Sequence, residues 1–443
     1  MTSDPTPTYP RLPTAEDLND PTPLSCVWEI TLACDLGCKH CGSRAGKARP
    51  DELTTEECLD VVDQLADLGV RETTLIGGEA YLRDDWTIIA RALADKGILV
   101  GIVTGARNLT QERIDAAVDA GVTSISISID GLEKTHDAIR GPRGSWRHAV
   151  EAARRVGDSP IRLTANSQIN RLSMPELPAL ADLLIDLGIV GWQVQMTVPM
   201  GRAADRPDLL LQPSDFLELF PLLVWIKRTR LEPAGVGLAP SNNVGYFSPY
   251  ERLLRWRSES SGGHWNGCSA GKWGLGLEAD GKIKGCPSLP SAPYTGGNIR
   301  DAGIAETIKN AREINHIQRR TVDDLWGYCK TCYYAETCLA GCTWTSHSFF
   351  GRPGNNPHCI HRAMEFEKRG LRERIVPVER APGDPFDTGR FEIVVEELPD
   401  VDPVPSIVDL ALDDVQAASF HDPSVWDDQT IKRRLARWNP DDP

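Results

Sequence analysis

Between residue 26 and about residue 230, short β-type apolar runs take turns with longer stretches whose apolar positions recur every three or four residues. Period two followed by period 3.6, repeated in series, predicts strand–helix units and a parallel sheet. Six runs read as strands: Cys26–Leu32, Glu72–Ile76, Leu99–Val103, Ser124–Ile129, Ile161–Gln168 and Trp192–Val198. The helices between them have readable ends. Thr54-x-x-Glu57 and Ser173-x-x-Glu176 have the form of capping boxes, the second with Pro175 in its first turn. Gly69, Gly97, Gly121, Gly157 and Gly188 stand where a helix stops and a left-handed residue is needed. The expected fold class is α/β, a partial (β/α)6 TIM-type barrel, with its chemistry at the C-terminal ends of the strands.

The rhythm breaks elsewhere. Residues 1–24 are proline-rich and aperiodic, a flexible N-terminal arm. Residues 25–230 are the barrel and 231–263 a bridge, Pro/Gly-rich and then helical around Tyr250–Arg257. Residues 264–375 are cysteine-rich. The last stretch, 376–443, is an acidic, Pro-rich extension with one β-like run, Phe391–Val395, and an amphipathic end, Ile431–Trp438. A chain of 443 residues with 41% apolar content can bury a large core and holds more than one domain. Its net charge of −15 is spread along the chain, and no basic patch interleaved with aromatics stands out, which argues against nucleic acid as a partner. With no run of about 18 apolar residues and no signal peptide, the expectation is a soluble, cytoplasmic protein with no membrane association.

Twelve cysteines change the picture, because they fall in metal-ligand spacings rather than as a disulfide framework. Cys34, Cys38 and Cys41 form C-x3-C-x2-C directly after the first strand. Thiolates are soft ligands, and a compact triplet suits a 4Fe–4S cluster with one iron left open for a second molecule. The competing reading is zinc, with His40 as the only nearby fourth ligand. Other rim loops carry chemistry as well. Strand two ends in Gly77-Gly78-Glu79, where glycines allow close approach to a ligand and a carboxylate can accept from an ammonium. Strand three ends in Thr104-Gly105, and strand four in Ser128-Ile129-Asp130-Gly131, followed by His136-Asp137 and Arg140-Gly141. For His136 and Arg140 the plain expectation is a rim ion pair with Asp137 or Glu133. A second set comprises Cys268, Cys286, Cys329, Cys332, Cys338, Cys342 and Cys359, too many thiolates for one metal. Cys26 and Cys58 read as core.

The triplet, with Gly77-Gly78-Glu79 and the Ser128–Gly131 run, resembles the signatures of radical S-adenosylmethionine (SAM) enzymes. Ala80 stands where that family has proline. The seven later cysteines resemble the SPASM extension of peptide-modifying members, which houses two auxiliary clusters. The resemblance implies SAM and three 4Fe–4S clusters as cofactors. It assigns Cys34, Cys38 and Cys41 to the first cluster and His40, Gly77, Gly78, Glu79, Thr104 and Ser128 to the cofactor side. It gives Cys329, Cys332, Cys338 and Cys359 to an outer cluster, and Cys268, Cys286 and Cys342 to an inner one. No eighth thiol lies in Ser269–Gly274, so the inner cluster is left with an open iron, His264 or a substrate donor. Implied partners are a peptide or protein substrate and a low-potential electron donor, a ferredoxin or flavodoxin. The implied reaction is cross-linking, epimerisation or side-chain oxidation of a ribosomally made peptide. Trp28-Glu29-x-Thr31 and Thr135-His136-Asp137 also resemble radical SAM enzymes that trim tetrapyrrole side chains in haem-type biosynthesis. Sulfatase-type maturases place an Asp where this chain has Pro287. A non-enzymatic iron–sulfur electron carrier is the alternative of a different class, but it has no need of Gly-Gly-Glu.

Overall fold

The computed structural model describes residues 11–14, 16–19, 21–255, 265 and 267–398. The six expected strands all form, with ends within two residues of those read from the sequence: β1 Ser25–Thr31, β2 Glu72–Gly77, β3 Leu99–Thr104, β4 Val122–Ser128, β5 Arg162–Ile169 and β6 Gly191–Met196. They pair in sequence order, each parallel to the next. A right-handed crossover followed by another in the same direction leaves every connecting helix on the same face of the sheet. That is the winding of a barrel, and the sheet here stays open at both edges.

The two faces of this sheet differ in chemistry. Cys26, Trp28, Leu75, Val100, Ile102, Ile125, Ile127, Leu163, Trp192 and Val194 join buried residues of the helices in a single apolar core. Among the helices are α1 (Thr55–Asp67), α2 (Trp86–Asp95) and α3 (Gln111–Asp119). The alternate positions face the other way. Through the strand register they bring together Thr74, Gly101, Ser124, Ser126, Thr164, Asn166, Gln193 and Gln195. A filled barrel packs branched aliphatics there; this one presents hydroxyl and amide side chains beside one glycine, most of them half-buried.

Several expectations are corrected. The stretch read as a bridge contains a seventh strand, β7 (Gly237–Pro240), parallel to β6, and its helix is Glu251–Arg255 within the described residues. Four residues are too few for a period to show. The cysteine-rich part adds strands to the barrel's own sheet: β8 (Gly274–Leu277) pairs parallel with β1, and β9 (Lys282–Lys284) and β10 (Thr295–Asn298) extend that edge. A boundary at 375/376 falls inside a strand, since β11 (Leu371–Glu379) pairs antiparallel with β12 (Arg390–Glu397), which contains the expected Phe391–Val395 run. Thr54–Glu57 is a capping box; Ser173–Glu176 is not. Glu176 instead accepts from Leu132 N and Thr135 Oγ1, both at 2.7 Å, tying down the loop after β4, and the helix starts at Leu177. Gly69, Gly97, Gly121 and Gly188 take positive φ, whereas Gly157 is the last residue of its helix. The described part of the N-terminal arm packs on the sheet through Arg11, which donates to Glu72 and, at 2.9 Å, to Thr74 Oγ1. The helical stretch Pro207–Leu231 is apolar and long enough to cross a membrane by composition, yet 67% of its window is buried in the fold, as in a core helix. Ile431–Trp438 and His264 lie outside the described residues.

Candidate functional site

The loop after β1 is fixed by its backbone. Cys34 N donates to Gly46 O, and Gly46 N to Leu32 O, at 3.0 Å each, closing the loop that carries Cys34, Cys38 and Cys41. Burial pushes the Cys34 thiol up to about 12, with Glu79, Cys38 and Cys41 adding to it. Burial likewise pushes Cys38 up to about 11, against the pull of Arg140. The three sulfurs are therefore within electrostatic reach of one another.

Gly77 and Gly78 are glycines that the cysteine loop requires. A Cβ on Gly77 would lie 2.2 Å from Thr31 O, and one on Gly78 2.0 Å from Ala33 O and 2.6 Å from Cys34 Cβ. The close approach is to the cysteine loop itself, sealed by Gly78 N to Thr31 O at 2.9 Å and Glu79 N to Ala33 O at 2.8 Å. This contact delivers Glu79. Its buried carboxylate accepts from Thr104 Oγ1 and, at 2.7 Å, from Gly105 N. Burial raises it to about 7. One ligand atom from each of Cys34, Asp35 and Glu79 lies within 4.8 Å of the others, and Asp35 Oδ1 is buried with no hydrogen-bond partner. Asp35 is a site residue that the sequence did not single out.

His40 reaches Asp130 rather than open space: His40 Nε2 and Asp130 Oδ2 are 2.9 Å apart. Arg140 Nε donates to the same oxygen at 2.7 Å, Gln168 N donates to Oδ1 at 2.8 Å, and Asp130 N donates to His136 Nδ1 at 3.3 Å. Burial opposes ionisation of Asp130, yet Arg140 and His40 hold its carboxyl well below the ordinary range. Burial drives His136 down to about 3, so it is neutral. The ion pairs expected for His136 and Arg140 with Asp137 or Glu133 are not made. Asp137 instead accepts from Gly144 N, Ser145 Oγ and Trp146 N, and Glu133 pairs with Arg147. Arg140 Nη1 also lies 3.9 Å from Cys38 Sγ, linking this network to the thiols. Ser128 is buried at the end of β4 beside Asn166, whose Oδ1 has no hydrogen-bond partner.

The later thiols separate into two groups. Cys329, Cys332, Cys338 and Cys359 line one cavity with Tyr334, His361 and Arg362. Burial raises Cys338, and Cys359, Cys329 and Cys332 add to it. Burial pushes Cys268 up to about 12, with Cys342 and Cys286 adding to it. Tyr246, in the former bridge, stands between the groups. Its hydroxyl accepts from Cys342 N at 2.8 Å, and its carbonyl lies 3.7 Å from Cys359 Sγ. Gly341, at φ 58°, lets the ring in: a Cβ there would lie 2.3 Å from Tyr246 Cε2. No cysteine spacing pointed to Tyr246. Cys26 and Cys58 are buried in the core.

Residues 28–177 match the family model described as the Radical SAM superfamily. The AdoMet-dependent heme synthase of Methanosarcina barkeri is 29% identical over 356 residues, 77% of this chain and 97% of that protein. Mycofactocin maturase MftC of Mycobacterium tuberculosis is 28% identical over 372 residues, 81% of this chain and 88% of MftC. Among solved structures, Streptococcus suis SuiB bound to S-adenosylmethionine superimposes with a TM-score of 0.63 at 17% identity, covering 78% of this chain and 80% of SuiB. SuiB has also been solved with its precursor peptide SuiA, at a TM-score of 0.60.

Proposed function

Residues 28–177 of this chain are a radical SAM domain, and on that premise we propose that the protein is an enzyme that modifies a ribosomally made peptide or protein. Cys34, Cys38 and Cys41 would hold a 4Fe–4S cluster at the end of β1, with SAM on its open iron. The donor set fits that group. Three thiols, one buried and two half-buried, with Glu79 and the unpartnered Asp35 Oδ1 form a collection of ionisable donors that a cationic centre and a ligand ammonium would neutralise. Bound together, cluster and SAM supply a 5′-deoxyadenosyl radical able to take hydrogen from an unactivated C–H bond.

The chain's own residues do the positioning. Glu79, held by Thr104 and Gly105, offers a fixed carboxylate to an ammonium. Asp130 orients His40 and Arg140, and Arg140 sets a guanidinium beside Cys38 that favours its thiolate. Cys329, Cys332, Cys338 and Cys359 suit a fully ligated outer cluster, and Cys268, Cys286 and Cys342 an inner cluster with a place for a further donor. A ferredoxin or flavodoxin would supply electrons.

The observation that carries the peptide reading is the polar face formed by Ser124, Ser126, Asn166, Gln168 and Gln195. It offers donors and acceptors to a peptide backbone, where a flat macrocycle would want apolar walls. MftC, a maturase by name, and SuiB, solved with a precursor peptide, support it. A tetrapyrrole is the second reading, favoured by the heme synthase relative, which the match covers almost end to end. One experiment tests both. The anaerobically reconstituted, reduced protein should convert SAM to 5′-deoxyadenosine and methionine. It should also change the mass of a peptide encoded by a neighbouring short reading frame. Loss of carboxyl groups from a tetrapyrrole, with the peptide untouched, would overturn the peptide reading.

A further inference from the structure

The β11–β12 hairpin folds its tip, residues 380–389, back onto the loop that carries Cys34, Cys38 and Cys41. Three anchors hold it. Arg44 donates from Nε to Asp387 Oδ1 at 2.8 Å and from Nη1 to Asp205 Oδ2 at 2.6 Å. Thr388 bridges antiparallel to Met200, and Gly201 N donates to Asp387 O at 2.8 Å. Phe386 sets its ring over two cations, 4.5 Å from Lys284 Nζ and 5.7 Å from the Arg49 guanidinium carbon. Those cations belong to a buried ion group, Lys284 with Glu278 at 2.6 Å and Arg49 with Glu29 at 2.9 Å. Glu29 is on β1, two residues before its end. Gly201 in turn presses on the cysteine loop, where a Cβ would lie 2.4 Å from Cys41 O. Asp387 is therefore one hydrogen bond away from a residue in backbone contact with Cys41.

The tip is built to keep its shape. The Asp387 carboxylate accepts from Gly383 N at 2.5 Å and Asp384 N at 3.1 Å. At the neck, a Cβ on Gly389 would lie 2.6 Å from Glu379 O. Arg44 and Phe386, two of its anchors, are among the few non-glycine described residues with positive φ, at 51° and 60°. Such backbone persists only where the surroundings insist on it.

We infer that Phe386 shields this site. Its ring is buried over Lys284 and Arg49 beside β1 and β9, on a hairpin tip anchored to the cysteine loop through Arg44 and Gly201, and there it keeps water and bulky segments from the Cys34–Cys38–Cys41 loop. This rests on the radical SAM reading, and the test separates the two. In the full reconstituted chain, Phe386→Ala should keep its iron but lose the visible cluster absorption several-fold faster to an iron chelator. It should also form several-fold more 5′-deoxyadenosine from SAM without substrate. Val395→Ala, on the exposed face of β12, should behave as the parent does. Phe386→Leu should give a smaller change in the same direction, and it carries the comparison if the alanine variant loses iron. Equal bleaching and equal substrate-free turnover in a variant with full iron would overturn the role of Phe386 alone. A parent chain with no cluster absorption would overturn the radical SAM reading and this inference with it.

Discussion

At the scale of single residues the site turns on Glu79. Its carboxylate is buried, is held by one hydroxyl and one backbone N–H, and carries a proton affinity raised to about 7 by that burial. Such a group is poorly compensated until a cation arrives. A charge-assisted bond to an ammonium contributes about 1.5–3 kcal/mol, so Glu79→Gln should weaken SAM binding roughly tenfold or more. The amide oxygen can still accept from Gly105 N while its NH2 donates to the Thr104 hydroxyl, which can accept as well as donate, so the iron content should not change. Equilibrium dialysis with labelled SAM checks the affinity, and unchanged binding would remove Glu79 from the site. Glu79 was legible in the sequence because a strand end and two glycines preceded it. Asp35 was not, since a carboxylate between two cysteines looks like any loop residue. Tyr246 was not either, because its importance lies in contacts made 96 and 113 residues away.

At the scale of elements, strand β2 and the cysteine loop form one unit. Helices α1 to α3 and strands β1 to β6 could be read from periodicity because each buries one face over several residues, and that face is all a sequence displays. Strands β7 to β10, three or four residues each, are set by neighbours already in place and leave no such signature. The same contrast explains Gly78. The sequence indicates that backbone comes close there, while only the fold shows that Ala33 and Cys34 are among the close neighbours. An added methyl at 2.0 Å from a carbonyl oxygen cannot be absorbed by a side-chain rotation, and β2 and the loop must part. Gly78→Ala should therefore lose the iron of the first cluster, about a third of the total, while keeping that of the later thiols. Iron analysis beside circular dichroism reads this out, and full iron in a folded variant would show that the loop tolerates the shift.

At the scale of the whole molecule, the question is how many metal centres one chain carries. The sequence offered ten candidate ligand thiols, and the structure sorts them by proximity into three at β1, four around one cavity and three about Cys268. If each holds a 4Fe–4S cluster, anaerobic reconstitution gives about twelve irons per chain. Replacing Cys34, Cys38 and Cys41 together by Ala should then remove about a third of the iron and all SAM cleavage. Replacing Cys329, Cys332, Cys338 and Cys359 should remove about a third while SAM cleavage without substrate persists. Zinc is the competitor for the later thiols, because two of them are spaced C-x2-C. Elemental analysis of the parent decides between them. A parent with about four irons, the balance made up by zinc, would leave the radical SAM centre intact and make the C-terminal thiols structural.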